Sequence, residues 1–165
     1  MLNPILHSYG LVLDYLHRLV ADLDEQQMVR QPSGIVNHPA WVIGHLIYSC
    51  QAIGGEVGLP PWLTEDWTRC FGTGSAPIAD PSAYPTKAEL LHALDDARTR
   101  LADRLATVGE AGLNEPLPDK EHRDTFPTVG HAVLHILVVH TAMHVGQVSV
   151  WRLAAGLPPV PEPFI

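Results

Sequence analysis

The stretch that most restricts what this chain can fold into is FPTVGHAVLHILVVHTAMHVGQVSVWRLAAG, residues 126–156, which holds no acidic side chain and a single arginine, Arg152. An apolar run of about 20 residues is long enough to cross a bilayer. Here four histidines and Gln147 interrupt it, and polar groups at bilayer depth are costly. The segment therefore reads as a core helix from about Thr128 to Ala155. It stops at Gly156, with Pro158 and Pro159 beyond, because a glycine after the last turn takes the left-handed conformation that ends helices.

Histidines inside such a helix need partners. At about 100° per residue, His140 and His144 lie roughly 40° apart, and Gln147 falls close to both. His131 and His135 repeat the spacing, but His135 is roughly 140° round from His140 on a straight helix, so a given cavity receives one pair. Two imidazoles one turn apart make a bidentate metal clamp. The same pair is equally well read as two core histidines satisfied by hydrogen bonds, since buried polar groups are paired. A third ligand from another helix would decide. WVIGHLIYS, residues 41–49, offers His45, in a segment without a charged residue from His38 to Ile53.

The remaining candidates fit other roles. His17 and His92 fall on charged helix faces, His122 lies in the charged loop DKEHRD, and His7 has no assigned role. His38 stands where a helix begins and reads as its cap. Glu89-Leu-Leu-His92 matches one unit of a carboxylate-bridged di-iron bundle, but the second unit is missing and the pair lies opposite Leu90, Leu94 and Leu101. Cys50 is roughly 140° round its helix from His45, and Cys70 has only Arg69 beside it, so both are expected to be dispensable. Two cysteines make no disulfide framework. No Ser-His-Asp signal, Gly-x-Ser-x-Gly turn or phosphate-cradling loop is present.

Periodicity places the other helices. Residues 3–29 show Ile5, Tyr9, Val12, Leu16, Leu19 and Leu23 at helical spacing. A second helix begins at Asn37 or His38, with Pro39 in its first turn, and runs to about Ile53 before Gly54-Gly55. A third begins at the capping-box pattern Thr86-Lys-Ala-Glu89 and is ended by Gly109 and the 112–118 region. Strand signals are weak, so the expectation is an all-α bundle in a single domain spanning 1–165. The connection 56–86, with at most one short helix around 62–71, is unusually long, and such loops are functional or disordered. Trp62, Trp67 and Phe71 argue for an ordered cap near the site.

Composition removes several function classes. A hydrophobic share of 46% against 17% charged residues is that of a globular chain. A net charge of −8 with no basic cluster argues against a nucleic-acid partner. The N-terminus lacks the basic start of a signal peptide, which together with the cysteine usage points to the cytoplasm.

Trp41-Val-Ile-Gly-His45-Leu, then His140-Thr-Ala-Met-His144-Val-Gly-Gln147, then Gly156-Leu-Pro-Pro159 resemble the DinB-like (DNA-damage-inducible) family. The middle stretch FGTGSAPIADPSAYPTKAELL is similar to one subgroup of it. The resemblance implies an up-down-down-up four-helix bundle in which His45, His140 and His144 hold one divalent metal, and a protein that dimerises. It also implies a thiol S-transferase or isomerase using a low-molecular-weight thiol. Val145 stands where relatives commonly bear a charge, so no role is carried over to it.

Three neutral imidazoles leave coordination positions open, the pattern of a catalytic ion, and imidazole suits zinc or nickel. The leading expectation is a metal-dependent transferase in which the ion activates a thiol or water against a small electrophile. No acidic general base lies on the two histidine faces, which favours thiol over water. The alternatives are a non-catalytic bundle whose metal is structural or reports stress, and a metal-dependent hydrolase.

Overall fold

Caps set where the helices begin and end. A computed structural model describes residues 2–161, and over them the chain is all-α, with no strand and one isolated bridge between Pro116 and Thr128. The principal helices are α1 (Leu2–Val20), α2 (Pro39–Glu56), the short α3 (Glu65–Phe71), α4 (Lys87–Leu113) and α5 (Val129–Ala154). His38 caps α2 by accepting from the Trp41 backbone N–H at 3.1 Å. Thr86 and Glu89 form the expected capping box at the start of α4. Gly156, at φ +76°, ends α5 where the sequence placed the stop, its successor Leu157 donating back to Arg152 O at 2.9 Å.

Two boundaries differ from the expectation. The first helix ends at Val20 rather than near residue 29, because Asp24 and Gln27 cap a separate turn, Glu25–Met28. Leu23, Met28 and Val29 are nevertheless buried, so apolar periodicity runs across the break. The second helix continues through Gly54-Gly55 to Glu56. Its stop is Gly58, at φ +80°, with Leu59 N–H donating to Gly54 O at 2.9 Å. Gly54 serves packing instead: a Cβ there would lie 3.0 Å from the Trp62 ring.

The helices share one core, in which Leu13, Leu16, Ile43, Ile47, Leu94, Leu101, Leu137 and Trp151 are buried together. Its most extensive contacts are α2 against α4 and α1 against the C-terminal half of α5, with α1–α4 and α2–α5 closing the set. Arg152, 2% exposed, pins the end of α1 to the end of α5: Nη1 donates to Leu19 O and to Asp22 Oδ1, both at 2.6 Å, while Nη2 donates to Asp22 Oδ2 at 3.0 Å. A buried guanidinium without such partners would be strongly destabilising. The lone basic residue of the apolar segment is thus structural.

That segment is a core helix on one side only. Val133, Leu137, Val145, Val148 and Trp151 face the core, but Val139, Met143, Val150 and Leu153 are 44–62% exposed. By length and composition α5 is long and apolar enough to cross a membrane. It is also not a uniform α-helix. Residues His135–His140 are π-helical, and the Thr141 hydroxyl donates to Ile136 O at 2.9 Å, satisfying a carbonyl of the wider turn. Such π segments occur mostly at functional sites.

Candidate metal centre

All three histidines singled out by sequence come together. His45 from α2 and His140 and His144 from α5 place ring nitrogens within 4.8 Å of one another. Their ring centroids are 5.3 Å (His45–His140), 4.7 Å (His45–His144) and 4.5 Å (His140–His144) apart. Trp41 stacks on His45 at 4.8 Å and 8° and thereby fixes the ring plane.

Hydrogen-bond partners decide which nitrogen is free in two of the three rings. His45 Nδ1–H donates to the Phe71 carbonyl at 2.8 Å, and His144 Nδ1–H donates to Gln147 Oε1 at 3.1 Å. Both acceptors lack a proton to give, so Nε2 of each ring carries the lone pair. Partners of this kind fix tautomer and orientation in histidine metal ligands. Burial holds all three imidazoles below their usual range, His140 down to about 4, with the neighbouring histidines lowering it further. They are therefore neutral at pH 7, as a metal requires.

The residues fit a bound cation. His45 Nε2 and His140 Nε2 lie 3.4 Å apart, close to the separation of about 3.3 Å between neighbouring nitrogens on a tetrahedral ion with bonds of 2.0–2.1 Å. His140 differs from the other two rings in that its Nδ1 is buried without a hydrogen-bond partner, so no acceptor behind the ring fixes its tautomer.

The long connection supplies much of the surroundings. The Phe71 carbonyl comes from α3, inside residues 56–86, and Phe71 is buried. Trp67 Nε1–H donates to Gly44 O at 3.1 Å, Trp41 Nε1–H to Ser75 Oγ at 2.9 Å, and His38 Nε2–H to Ile78 O at 3.0 Å. Trp62 and Leu63 backbone N–H groups both donate to Gln51 Oε1. The segment is an ordered cap on α2, as its aromatics suggested, and the α2 residues it grips flank His45. Gly44 permits this: a Cβ would fall 2.1 Å from the Phe71 ring. A backbone carbonyl leaves no mark in sequence, so Phe71 was not foreseen as a partner. Gly44, inside the Trp41–His45 motif, was the available signal.

A cavity of about 340 Å³ opens on His45 and His140, at the lower end of the range for small-molecule sites. Tyr48, Ile53, Phe126 and Ile136 give it apolar walls, and Glu56, Asp119 and His122 also line it. The expectation that no acidic general base lies on the histidine faces took no account of these carboxylates on the same cavity, because they arrive from the end of α2 and the loop before α5. They are bonded to one another: Asp119 N–H to Glu56 Oε2 at 3.0 Å, and His122 Nδ1–H to Asp119 Oδ2 at 2.8 Å.

Of the other candidates only His122 reaches the cavity, and the rest stay outside it. His131 is exposed and bonded to Thr128 Oγ1 at 2.8 Å, and His135 packs 5.0 Å from the Phe126 ring. His17 meets Asp95 at 3.1 Å on the surface. Cys50 is buried beside the Tyr9 hydroxyl at 3.1 Å, and burial pushes its thiol up to about 11. Val145 is buried and belongs to neither the cluster nor the cavity.

No curated protein matches the chain. The DinB superfamily matches residues 9–148, a span that takes in α2, the capping segment, α4 and all three converging histidines. With the family's extent and the cluster coinciding in this way, the chain belongs to the DinB superfamily.

Proposed function

We propose that His45, His140 and His144 are the ligands of one divalent transition cation, zinc or nickel, and that the chain is a metal-dependent enzyme of thiol S-transferase type acting on a small electrophile. One observation carries this reading: three neutral imidazoles converge, and two of them, His45 and His140, line an adjoining cavity. Structural zinc sites are closed by four protein ligands, whereas catalytic ones keep a position open. Among the described residues no further His, Cys, Asp or Glu joins the group. A cavity at the open side favours an enzyme over an ion that only stabilises the core.

Bound there, a divalent cation lowers the pKa of a thiol or of water at its open position. The protein's own part is positioning. The Phe71 carbonyl and Gln147 hold the Nε2 atoms of His45 and His144 inward, and Trp41 locks the His45 ring by stacking. Tyr48, Ile53, Phe126 and Ile136 take up the apolar body of the electrophile and exclude water around it. A hydrolase is the second reading, favoured by Glu56, Asp119 and His122 on the same cavity, which offer acid–base groups for an attacking water.

The same proposal includes one domain with up-down-down-up helix order. It is supported by the connection between α2 and α4. An 18-residue helix such as α2 is about 27 Å long, and a segment as long as 57–86 spans that distance and lets two successive long helices run in the same direction.

Metal analysis of the purified protein, followed by titration of the cobalt-loaded form with low-molecular-weight thiols, tests the reading. A new near-ultraviolet thiolate-to-cobalt band, with turnover of an electrophile panel, is expected. Cobalt bands that ignore every thiol, with ester or amide hydrolysis instead, would replace the transferase by the hydrolase. A loaded protein indifferent to both would leave a non-catalytic metal bundle.

A further inference from the structure

Two ladders of residues spaced four apart run side by side along α5. In the first, Ala132, Ile136 and His140 line the cavity, and His140 and His144 belong to the histidine cluster. In the second, Val133, Leu137, Thr141 and Val145 are all buried, none more than 3% exposed. On a straight α-helix each four-residue step drifts by about 40°, so the ends of either ladder would stand about 120° apart. The first could not then serve cavity and cluster together, and the second would leave the core.

The π-helical turn His135–His140 sits in the middle of both ladders. A turn closed by i→i+5 bonds takes up one residue more than an α-turn, which removes about 100° of the drift and leaves about 20°. The widened turn therefore puts cavity wall and candidate ligands on one face. No glycine or proline lies between His131 and Val145 to cause it. What the turn does have is the Thr141 hydroxyl, which donates to Ile136 O at 2.9 Å, five residues back. In a regular α-helix such hydroxyls reach the carbonyl three or four residues back, so this bond belongs to the widened turn. His140 depends on it most. Acceptors stand behind Nδ1 of His45 and of His144, whereas none stands behind His140 Nδ1, so the backbone sets where that ring points.

On the reading of His140 as a metal ligand, we propose that Thr141 is its positioning residue: the hydroxyl holds the widened turn that keeps the ligands in line with the cavity wall. Valine has the shape of threonine without the donor, so Thr141→Val removes the bond to Ile136 O and little else from the core. Without that bond the turn relaxes toward the regular α pattern, and His140 leaves the face it shares with Ile136. Metal binding then draws on the fraction of chains that still hold the widened turn, and apparent affinity falls by that fraction.

Two measurements on the full chain test this, one of them without metal. Nuclear magnetic resonance of metal-free protein reads the turn directly. A contact between Ile136 Hα and the Thr141 amide, the mark of an i→i+5 turn, should appear in wild type and in Thr141→Ser. In Thr141→Val it should give way to the Ile136–His140 contact of an α-turn. Zinc and cobalt affinities, read by chelator competition, should fall about tenfold in Thr141→Val if one chain in ten keeps the widened turn, and should stay near wild type in Thr141→Ser. Val148→Ala, which opens a core void one turn beyond the cluster, should lower melting and leave affinity unchanged, separating positioning from general destabilisation. An i→i+5 pattern that persists in Thr141→Val, an affinity that ignores the change of turn, or a serine variant that behaves like the valine one would overturn the proposal. Wild type that takes up no metal would instead end the reading of the histidines as ligands, leaving Thr141 no ligand to aim.

Discussion

Helix α5 carries two histidine pairs of the same i,i+4 spacing, and the chain uses them differently. Exposed His131 meets a threonine hydroxyl and half-buried His135 packs against the Phe126 ring, with no third histidine joining them among the described residues. His140 and His144 face α2, where His45 waits with its Nδ1 already held by the Phe71 carbonyl. Spacing along one helix therefore creates the possibility of a clamp. The opposing helix and the segment gripping it turn one pair into a site.

The largest effect that could break this contrast is on metal uptake. His140→Ala or His144→Ala should abolish stoichiometric binding of about one divalent ion per chain, because two imidazoles alone rarely hold such an ion against water. His131→Ala and His135→Ala should leave uptake intact. Metal content after gel filtration reads both arms, and equal losses from the two pairs would erase the distinction.

His38 marks a third use of a histidine, and pH exposes it. The ring is fully buried, accepts from Trp41 N–H through Nδ1 and donates through Nε2 to Ile78 O. Burial pushes it from 6.5 down to about 4. Protonation would turn Nδ1 from the cap's acceptor into a second donor. Because the folded chain binds this proton more weakly than the unfolded one, its contribution is complete above pH 6.5 and is lost as pH falls toward 4. The loss amounts to roughly 3 kcal/mol at one pKa unit per 1.36 kcal/mol. Urea melts of metal-free protein between pH 7 and pH 4 should show that loss on top of the one from His45, His140 and His144, which burial also holds low, and His38→Asn, which retains a capping side chain, should make the slope shallower. Parallel slopes for the two proteins would contradict this role.

Local chemistry was legible in the sequence and non-local chemistry largely was not. The caps at His38 and Thr86 and the stop at Gly156 depend on residues within one turn, and sequence order contains them. His45, His140 and His144 were recoverable because helical periodicity converts order into direction, and the straight-helix angle between His140 and His144 survives since both lie at or beyond the end of the π segment. That segment was hidden, because a widened turn depends on packing. So was the approach of Glu56, Asp119 and His122 to the cavity, which three different stretches of chain must fold together to produce. The break after Val20 was masked because residues on both sides of it are buried. The apolar outer face of α5 was not separable from its core face in the sequence, since composition alone does not reveal which side of an apolar helix faces outward.

The capping segment can be tested at one atom. Gly44→Ala would put a methyl 2.1 Å from the Phe71 ring, so Phe71 must move and withdraw its carbonyl from His45. Losing a partner behind a histidine ligand lowers metal affinity about 10- to 100-fold, and the overpacking costs about 1–3 kcal/mol. Competition with a chromogenic chelator measures the first and urea melts the second. Affinity unchanged in a destabilised variant would reduce the Phe71–His45 bond to a packing detail. Because Phe71 is both core residue and partner to His45, removing the whole segment should weaken fold and site together.

The smallest effects should come from the cysteines, the one other residue type that could have competed with imidazole for a metal. Cys50 is buried with its thiol pushed up to about 11 and its sulfur 3.1 Å from Tyr9 Oη, so at neutral pH it is protonated and neither nucleophile nor ligand. Cys50→Ser keeps a hydroxyl within reach of Tyr9 but buries a more polar group, which should cost about 1 kcal/mol or somewhat more. Cys70, half-buried on α3, should tolerate serine within about 0.5 kcal/mol, as surface positions generally do. Metal content and thiol-dependent turnover of the double variant should match wild type. A double variant that loads its metal normally yet loses all turnover would place a protein thiol in the reaction, and the contrast between histidine faces would then describe only half of the site.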